Sequence, residues 1–197
     1  MALYSRFGRN TILDPKLDSD LFQMVSDSLI SKYPNSSHAI KLHQKVLELQ
    51  NAGQLKKERE EALSVGKKFP EIMLNDIDNK PQNLTECKAK VCLVAVWVST
   101  NKESWDMNAI LRDVYKKYHD KGLGIYEISF DTDKLAWTNY CHIEHLVWTN
   151  VIGYPREKEM LNADEKMPRL FVLDENKKVI AKDPKPEELD ELLKNIL

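Results

Sequence analysis

Residues 90–98 contain the apolar run Val91-Cys92-Leu93-Val94-Ala95-Val96, closed by Trp97. The run is continuous, without the alternation of a strand that has one wet face, so it predicts a central strand covered on both sides. Such a strand needs a layer above and a layer below, and the segments around it supply them. From Val65 onward, short strand signals alternate with helix signals, the pattern of an α/β sheet. Residues 72–77 and 82–84 flank the turn Asp78-Asn79-Lys80-Pro81 and predict a hairpin. After the central strand, Met107, Ile110, Leu111, Val114 and Tyr118 share one helical face, and Gly122 stops the helix. Strands are expected at 124–130 and 148–152, and helices at 134–145 and 156–162. A second hairpin, 168–173 with 178–182, turns at Asp174-Glu175-Asn176, and a last helix carries Leu189, Leu192, Leu193 and Ile196.

The residues before this unit read differently. Leu17, Leu21, Val25 and Leu29 recur at helical spacing, as do Ala39, Leu42, Val46 and Leu49 after the break at Pro34-Asn35, so a helical hairpin is expected. The charge-rich stretch Gln54-Leu55-Lys56-Lys57-Glu58-Arg59-Glu60-Glu61 has few apolar positions and reads as a solvated connecting helix ending near Gly66. The organisation expected is a helical extension at 1–64 and an α/β domain at 65–197.

With 29 Lys and Arg against 31 Asp and Glu, no strong field would draw the chain to nucleic acid or anionic lipid, so both are disfavoured as partners. No run of 18 apolar residues occurs, and the first residues lack the apolar stretch of a secretory signal. Either the protein is cytosolic or a signal has been removed. The cysteines Cys87, Cys92 and Cys141 form no CxxC and no zinc-type pair of pairs. Cys92 lies inside the apolar run, where a free cysteine behaves as a small hydrophobe. A Cys87–Cys92 bridge would have to meet narrow geometry from inside a strand, and both are read as structural. Cys141, His142 and His145 cluster near a helix end, but a metal site needs three or four ligands, so neither metal nor cofactor is expected.

Several collinear motifs resemble the thioredoxin-like family, in particular the TlpA/ResA-type envelope thiol-disulfide oxidoreductases and the related AhpC/TSA group. Val65-Gly66-Lys67-Lys68-Phe69-Pro70 is similar to the family's Gly-x-x-Ala-Pro before the first strand, and Val94-Ala95-Val96-Trp97-Val98-Ser99 to the strand that delivers the active site. Ile128-Ser129-Phe130-Asp131, with Ala136-Trp137, resembles the next strand and its helix. Met167-Pro168-Arg169-Leu170-Phe171-Val172-Leu173-Asp174 resembles the segment that begins with the family's cis-proline. The resemblance implies a thioredoxin-like fold, a central mixed sheet flanked by helices, with an N-terminal helical extension. It also implies the bacterial periplasm or cell envelope. The helical extension, with Lys32-Tyr33-Pro34-Asn35-Ser36-Ser37, resembles the linker that follows a further β-rich domain in many envelope members, which implies a fragment whose leading Met1-Ala2 is a cloning remnant.

Where the family carries its redox cysteines, this chain reads Asn101-Lys102-Glu103-Ser104. Family chemistry needs a thiolate at the helix start, where amides and dipole lower its pKa, and a second cysteine one turn on to resolve the mixed disulfide. Aligned on Trp97, Asn101 takes the attacking position and Ser104 the resolving one, while the family glutamate and proline fall at Met107 and Ala109. Thr100-Asn101-Lys102-Glu103 fits a capping box with Thr100 as N-cap. Trp97, Trp137 and Trp148 are expected in the core, whereas Trp105 stands at the mouth of the site, where relatives usually have a polar residue.

Three readings follow. The first is a non-catalytic module that binds a protein or peptide through the old substrate groove, lined by Asn101, Trp105, Met167 and Pro168 with the Met167-Pro168 bond cis. The second keeps the chain in the thiol-redox class, acting through Cys92 or Cys141 or as an inactive subunit beside an active one. The third is a structural support for the helical extension and what precedes it.

Overall fold

The computed structural model describes residues 6–7, 10–11, 13–15, 17–164 and 166–197, so the expectation for Met1-Ala2 lies outside the described residues. The chain divides into two compact units, Met1–Glu58 and Arg59–Leu197. In the first, a short antiparallel ladder of β1 (Arg6–Phe7) and β2 (Asn10–Thr11) precedes α1 (Ser19–Lys32) and α2 (Ser37–Ala62). Phe22, Leu42 and Val46 are buried with Leu21, Val25 and Leu29 packed on them, the small core that the helical spacing implies. Buried Ser26 is satisfied by His43 Nδ1 at 3.0 Å. The expected separate connecting helix is instead the last part of α2, which runs through Gly53 without a break. A helix-interior glycine costs only about 1 kcal/mol relative to alanine, too little to end a helix with good formers on both sides.

The second unit is built on a five-stranded sheet in the order β7-β6-β5-β8-β9. Its hairpin, β3 (Met73–Asn75) with β4 (Pro81–Asn83), comes first in sequence. Central β5 (Val91–Trp97) pairs in parallel with β6 (Leu123–Ser129), which pairs in parallel with β7 (Thr149–Ile152). On its other side β5 pairs antiparallel with β8 (Arg169–Asp174), which pairs antiparallel with β9 (Val179–Lys182). All seven residues of β5 are buried. The pleat sorts them: Val91, Leu93, Ala95 and Trp97 enter one core, and Cys92, Val94 and Val96 the other.

Helices α3 (Lys102–Tyr118), α4 (Lys134–Ile143) and α6 (Pro186–Ile196) cover the first face through Leu111, Val114, Trp137, Leu189 and Leu193. The second face is covered by Leu63, Phe69, Ile72, Leu74 and Leu84, with Leu161 just after α5 (Pro155–Met160). The mixed sheet with helices on its faces is the thioredoxin-like fold. No helix among the described residues is long and apolar enough to cross a membrane.

Candidate functional site

The continuous apolar run fixes where the site must be, because β5 ends in the interior and the chain can leave it only into the loop that starts α3. That loop is clamped from below. The Asp131 carboxylate, just past the end of β6, accepts from the Ser99 amide at 2.9 and 3.0 Å, from the Ser99 hydroxyl at 2.8 Å and from the Ser129 hydroxyl at 2.6 Å. Asp131 is thus the anchor of the loop as well as the strand-end residue the sequence suggested. Asp133 is the N-cap of α4, accepting from the Leu135 and Ala136 amides.

The start of α3 differs from the capping box expected at Thr100. The N-cap is Asn101, with extended backbone, and its Oδ1 accepts from the Glu103 amide at 2.7 Å. The physical reason lies outside the helix. Asn101 Nδ2 donates to the carbonyl oxygen of Met167 at 3.1 Å, so one side chain caps α3 and ties it to the segment before β8. A threonine hydroxyl cannot span both groups; a carboxamide, with an acceptor and two donors in one plane, can. The Met167-Pro168 peptide is cis, as the resemblance implies.

Ser104, expected from sequence at the resolving position, is fully buried, and its Oγ accepts from the Val98 amide at 3.4 Å. Among the described residues no imidazole hydrogen-bonds it, so nothing activates the hydroxyl as a nucleophile. Trp105 is 46% exposed, its ring stacked near Tyr140 at 6.5 Å between centroids, and its Nε1 donates to the Ser99 carbonyl at 2.6 Å. The indole is therefore presented in one orientation.

Around the helix start are two hollows. One, of about 360 Å³, has Pro168, Met107, Ile110, Leu170 and Leu189 among its walls and Glu103 at its edge. The other, of about 300 Å³, is lined by Trp105, Asp106, Arg112, Tyr140 and Glu144. Asp106 borders both. Asn101 and Met167 are in direct contact and Pro168 follows at once, whereas Trp105 faces the neighbouring hollow rather than the one beside Pro168.

Just behind this loop are charges that sequence reading did not single out. Arg169, only 2% exposed in its side chain, pairs with Glu60 at 3.1 Å and with Asp183 at 3.4 Å. Burial would raise the Glu60 carboxyl, but hydrogen bonds from Asn162, Lys182 and Arg169 outweigh it and hold the group at about 2. Glu127, on β6, is fully buried; Oε2 accepts from Trp148 Nε1 at 2.8 Å, and among the described residues Oε1 has no partner. Burial pushes its carboxyl up to about 8. No sequence signal marks Glu127, since an isolated acid inside an apolar strand looks like a solvent-facing position of an edge strand.

The cysteines separate by environment. Burial pushes the Cys141 thiol up to about 12, and Cys92 is raised by its hydrogen bond to Cys87 and by burial. Burial thus disfavours the thiolate at both of the cysteines named from sequence as redox candidates. No group of three or more residues able to hold a metal occurs among the described residues.

No family model matches the chain. Among curated proteins it is similar to the thiol-disulfide oxidoreductase ResA of Bacillus thuringiensis subsp. konkukian, 26% identical over 141 residues that cover 70% of this chain and 82% of that protein. ResA of Geobacillus thermodenitrificans is 24% identical over 140 residues, 68% of this chain and 79% of that one. Among solved structures, a thiol-disulfide oxidoreductase from Bacteroides fragilis matches with a TM-score of 0.60 at 26% identity, over 66% of this chain and 100% of its own. The thioredoxin domain of a thiol-disulfide oxidoreductase from Bacteroides vulgatus matches with a TM-score of 0.62, over 68% of this chain and 99% of its own; at 22% identity it speaks for the fold alone. The sheet order and the cis-proline beside the start of α3 give this chain the thioredoxin-like fold, and the ResA relatives make it similar to the TlpA/ResA type.

Proposed function

We propose that this protein is a redox-inactive member at the position where its relatives carry their cysteines, and that it binds an extended protein or peptide segment beside Pro168 in the bacterial cell envelope. The observation that carries the reading is the double hydrogen bond of Asn101, to the Glu103 amide and the Met167 carbonyl. The residue in the attacking position has become the strut that holds the substrate-side segment against the helix. A strut in that place keeps the surface in shape while leaving no nucleophile on it.

The hollow beside Pro168 supports the same reading, because apolar walls with Glu103 and Lys166 at the edge suit one apolar side chain of an extended segment. The exposed and oriented Trp105 adds a rigid aromatic of the kind that dominates binding energy. The ResA relatives support the envelope as its place.

Site-directed photo-crosslinking in envelope extract, with the crosslinker at Lys166, recovers the partner under this reading. Trp105→Ala and Met167→Asp each weaken its capture at least tenfold without unfolding the protein, and the purified protein fails to accelerate insulin reduction by dithiothreitol. Capture undiminished in both variants would place the interface elsewhere. Insulin turnover that survives Cys87→Ser would assign chemistry to Cys92 or Cys141 and overturn the non-catalytic reading.

A further inference from the structure

The opposite end of β5 from Asn101 carries a feature that the binding reading does not use. Cys92 is the second residue of β5, and its register partner on β6 is Gly124. A Cβ at Gly124 would stand 2.7 Å from the Cys87 sulfur, a distance that real Cβ atoms do not show. The missing side chain on β6 is therefore the space that the Cys87 thiol fills, beside the strand position of Cys92, and the two cysteines pack in the same core. The Lys177 side chain, 7% exposed, reaches in from the β8–β9 turn and donates to the Cys87 carbonyl oxygen at 2.7 Å. Cys92 is wholly enclosed, whereas Cys87 is half-buried and lines a cavity of about 550 Å³.

We propose that Cys87 and Cys92 are a second thiol site, in which Cys87 attacks a low-molecular-weight disulfide admitted by this cavity and Cys92 resolves the adduct into an internal disulfide. The geometry assigns the roles. Only Cys87 meets the cavity, so only it can be the attacking thiol, and Cys92 is the cysteine that packs behind it in the same core. The cavity has the volume for a disulfide of the size of cystine, while a folded protein substrate could not reach a half-buried sulfur at its wall.

The electrostatics run the same way. The Cys92 hydrogen bond lowers the Cys87 thiol most, burial opposes it, and the Ala89 amide and the Lys177 ammonium lower it further, to about 6. The other ionisable groups lining the cavity with it are Tyr115 from α3 and His119 just after it, Tyr126 from β6, and Asp76 and Glu86. In the reaction the Cys87 thiolate bonds one sulfur of the small disulfide and the S–S bond breaks, releasing one thiolate. That thiolate takes the Cys92 proton. The Cys92 sulfur then bonds to Cys87 and expels the second half as a thiolate, which is protonated by solvent. Two protein thiols are oxidised and one disulfide is reduced to two thiols.

The test uses the full chain, reduced and freed of reductant, with L-cystine as probe. At pH 7 a thiol at about 6 is present as thiolate roughly 30-fold more than an ordinary cysteine near 8.5. A thiolate of lower pKa is less nucleophilic, which offsets much of that gain, so alkylation of Cys87 should be a few-fold faster than in the urea-unfolded chain, with Cys92 and Cys141 silent. Cystine should yield an internal Cys87–Cys92 disulfide in the wild type, found by peptide mass mapping and reversed by dithiothreitol. A stable cysteine adduct on Cys87 is expected in Cys92→Ala, and no reaction in Cys87→Ser. Lys177→Met should move the alkylation midpoint upward. Native Cys87 reacting no faster than in the unfolded chain would overturn the proposal, as would a cysteine adduct that persists beside free Cys92 in the wild type. So would oxidation by hydrogen peroxide where cystine fails.

Discussion

Asn101 shows how much one side chain can decide. Its carboxamide caps α3 and holds Met167 at once, so Asn101→Ala should cost about 1–2 kcal/mol, an N-cap plus one hydrogen bond. Thr100 takes no part in the cap, and Thr100→Ala should stay within about 0.5 kcal/mol of wild type. Urea denaturation of both variants checks the pair, and equal losses would mean that the helix start is shared between them. Glu127 offers a second prediction at the same scale. Its folded carboxyl is near 8 against 4.5 when unfolded, so between those values the folded state keeps a proton that the unfolded state releases. Stability from this group is greatest below about 4.5 and is lost as pH rises through 8. Glu127→Gln should therefore gain on the order of 1–3 kcal/mol at pH 9 and show a flatter alkaline limb. It keeps an acceptor for Trp148, and a variant less stable than wild type at pH 9 would show that the carboxylate form is the stabilising one.

Among the elements, β5 has its role because every second residue belongs to a different core, which no helix could arrange. The end of α2 is the contrasting case. Its sequence is that of a solvated face, yet Glu60 meets buried Arg169, Lys182 and Asn162. Glu60 sits near 2 when folded against 4.5 when unfolded, so the folded state binds fewer protons there. The stabilisation is complete above about 4.5 and is lost as pH falls toward 2. Glu60→Gln should destabilise by about 1 kcal/mol at neutral pH, since Glu60 is 42% exposed and Asp183 still faces Arg169. Acid titration of the unfolding midpoint should then be shallower than wild type between pH 4.5 and 2. An unchanged slope would assign the acid sensitivity to other carboxylates.

For the molecule as a whole, the central strand joins two places with different chemistry. At its exit, Asn101 ties α3 to the segment before β8. At its start, Cys87 lines a cavity and Cys92 packs behind it in the same core. The two are separable in experiment, because the groove variants Trp105→Ala and Met167→Asp touch no cysteine, and Cys87→Ser touches no groove residue. Binding lost with Cys87 alkylation intact, and the reverse, are the expected outcomes of assaying each variant both ways.

The amino-acid sequence alone determined the order of elements, the central strand, the two hairpins and the absence of a CxxC, because these are written in hydrophobic period, turn residues and local motifs. It also carried Pro168 and exposed Trp105 by their place in that pattern. Only the tertiary structure decided the rest. Asn101 rather than Thr100 caps α3 because its second partner is far along the chain, and Glu60 is an ion-pair residue because Arg169 comes to it. Cys87, read as structural, acquires its environment from Cys92, Gly124 and Lys177, which reach it from two strands and a turn. Local pattern encodes which face a residue turns inward, but the charge, the room and the partner it meets there depend on contacts between distant segments.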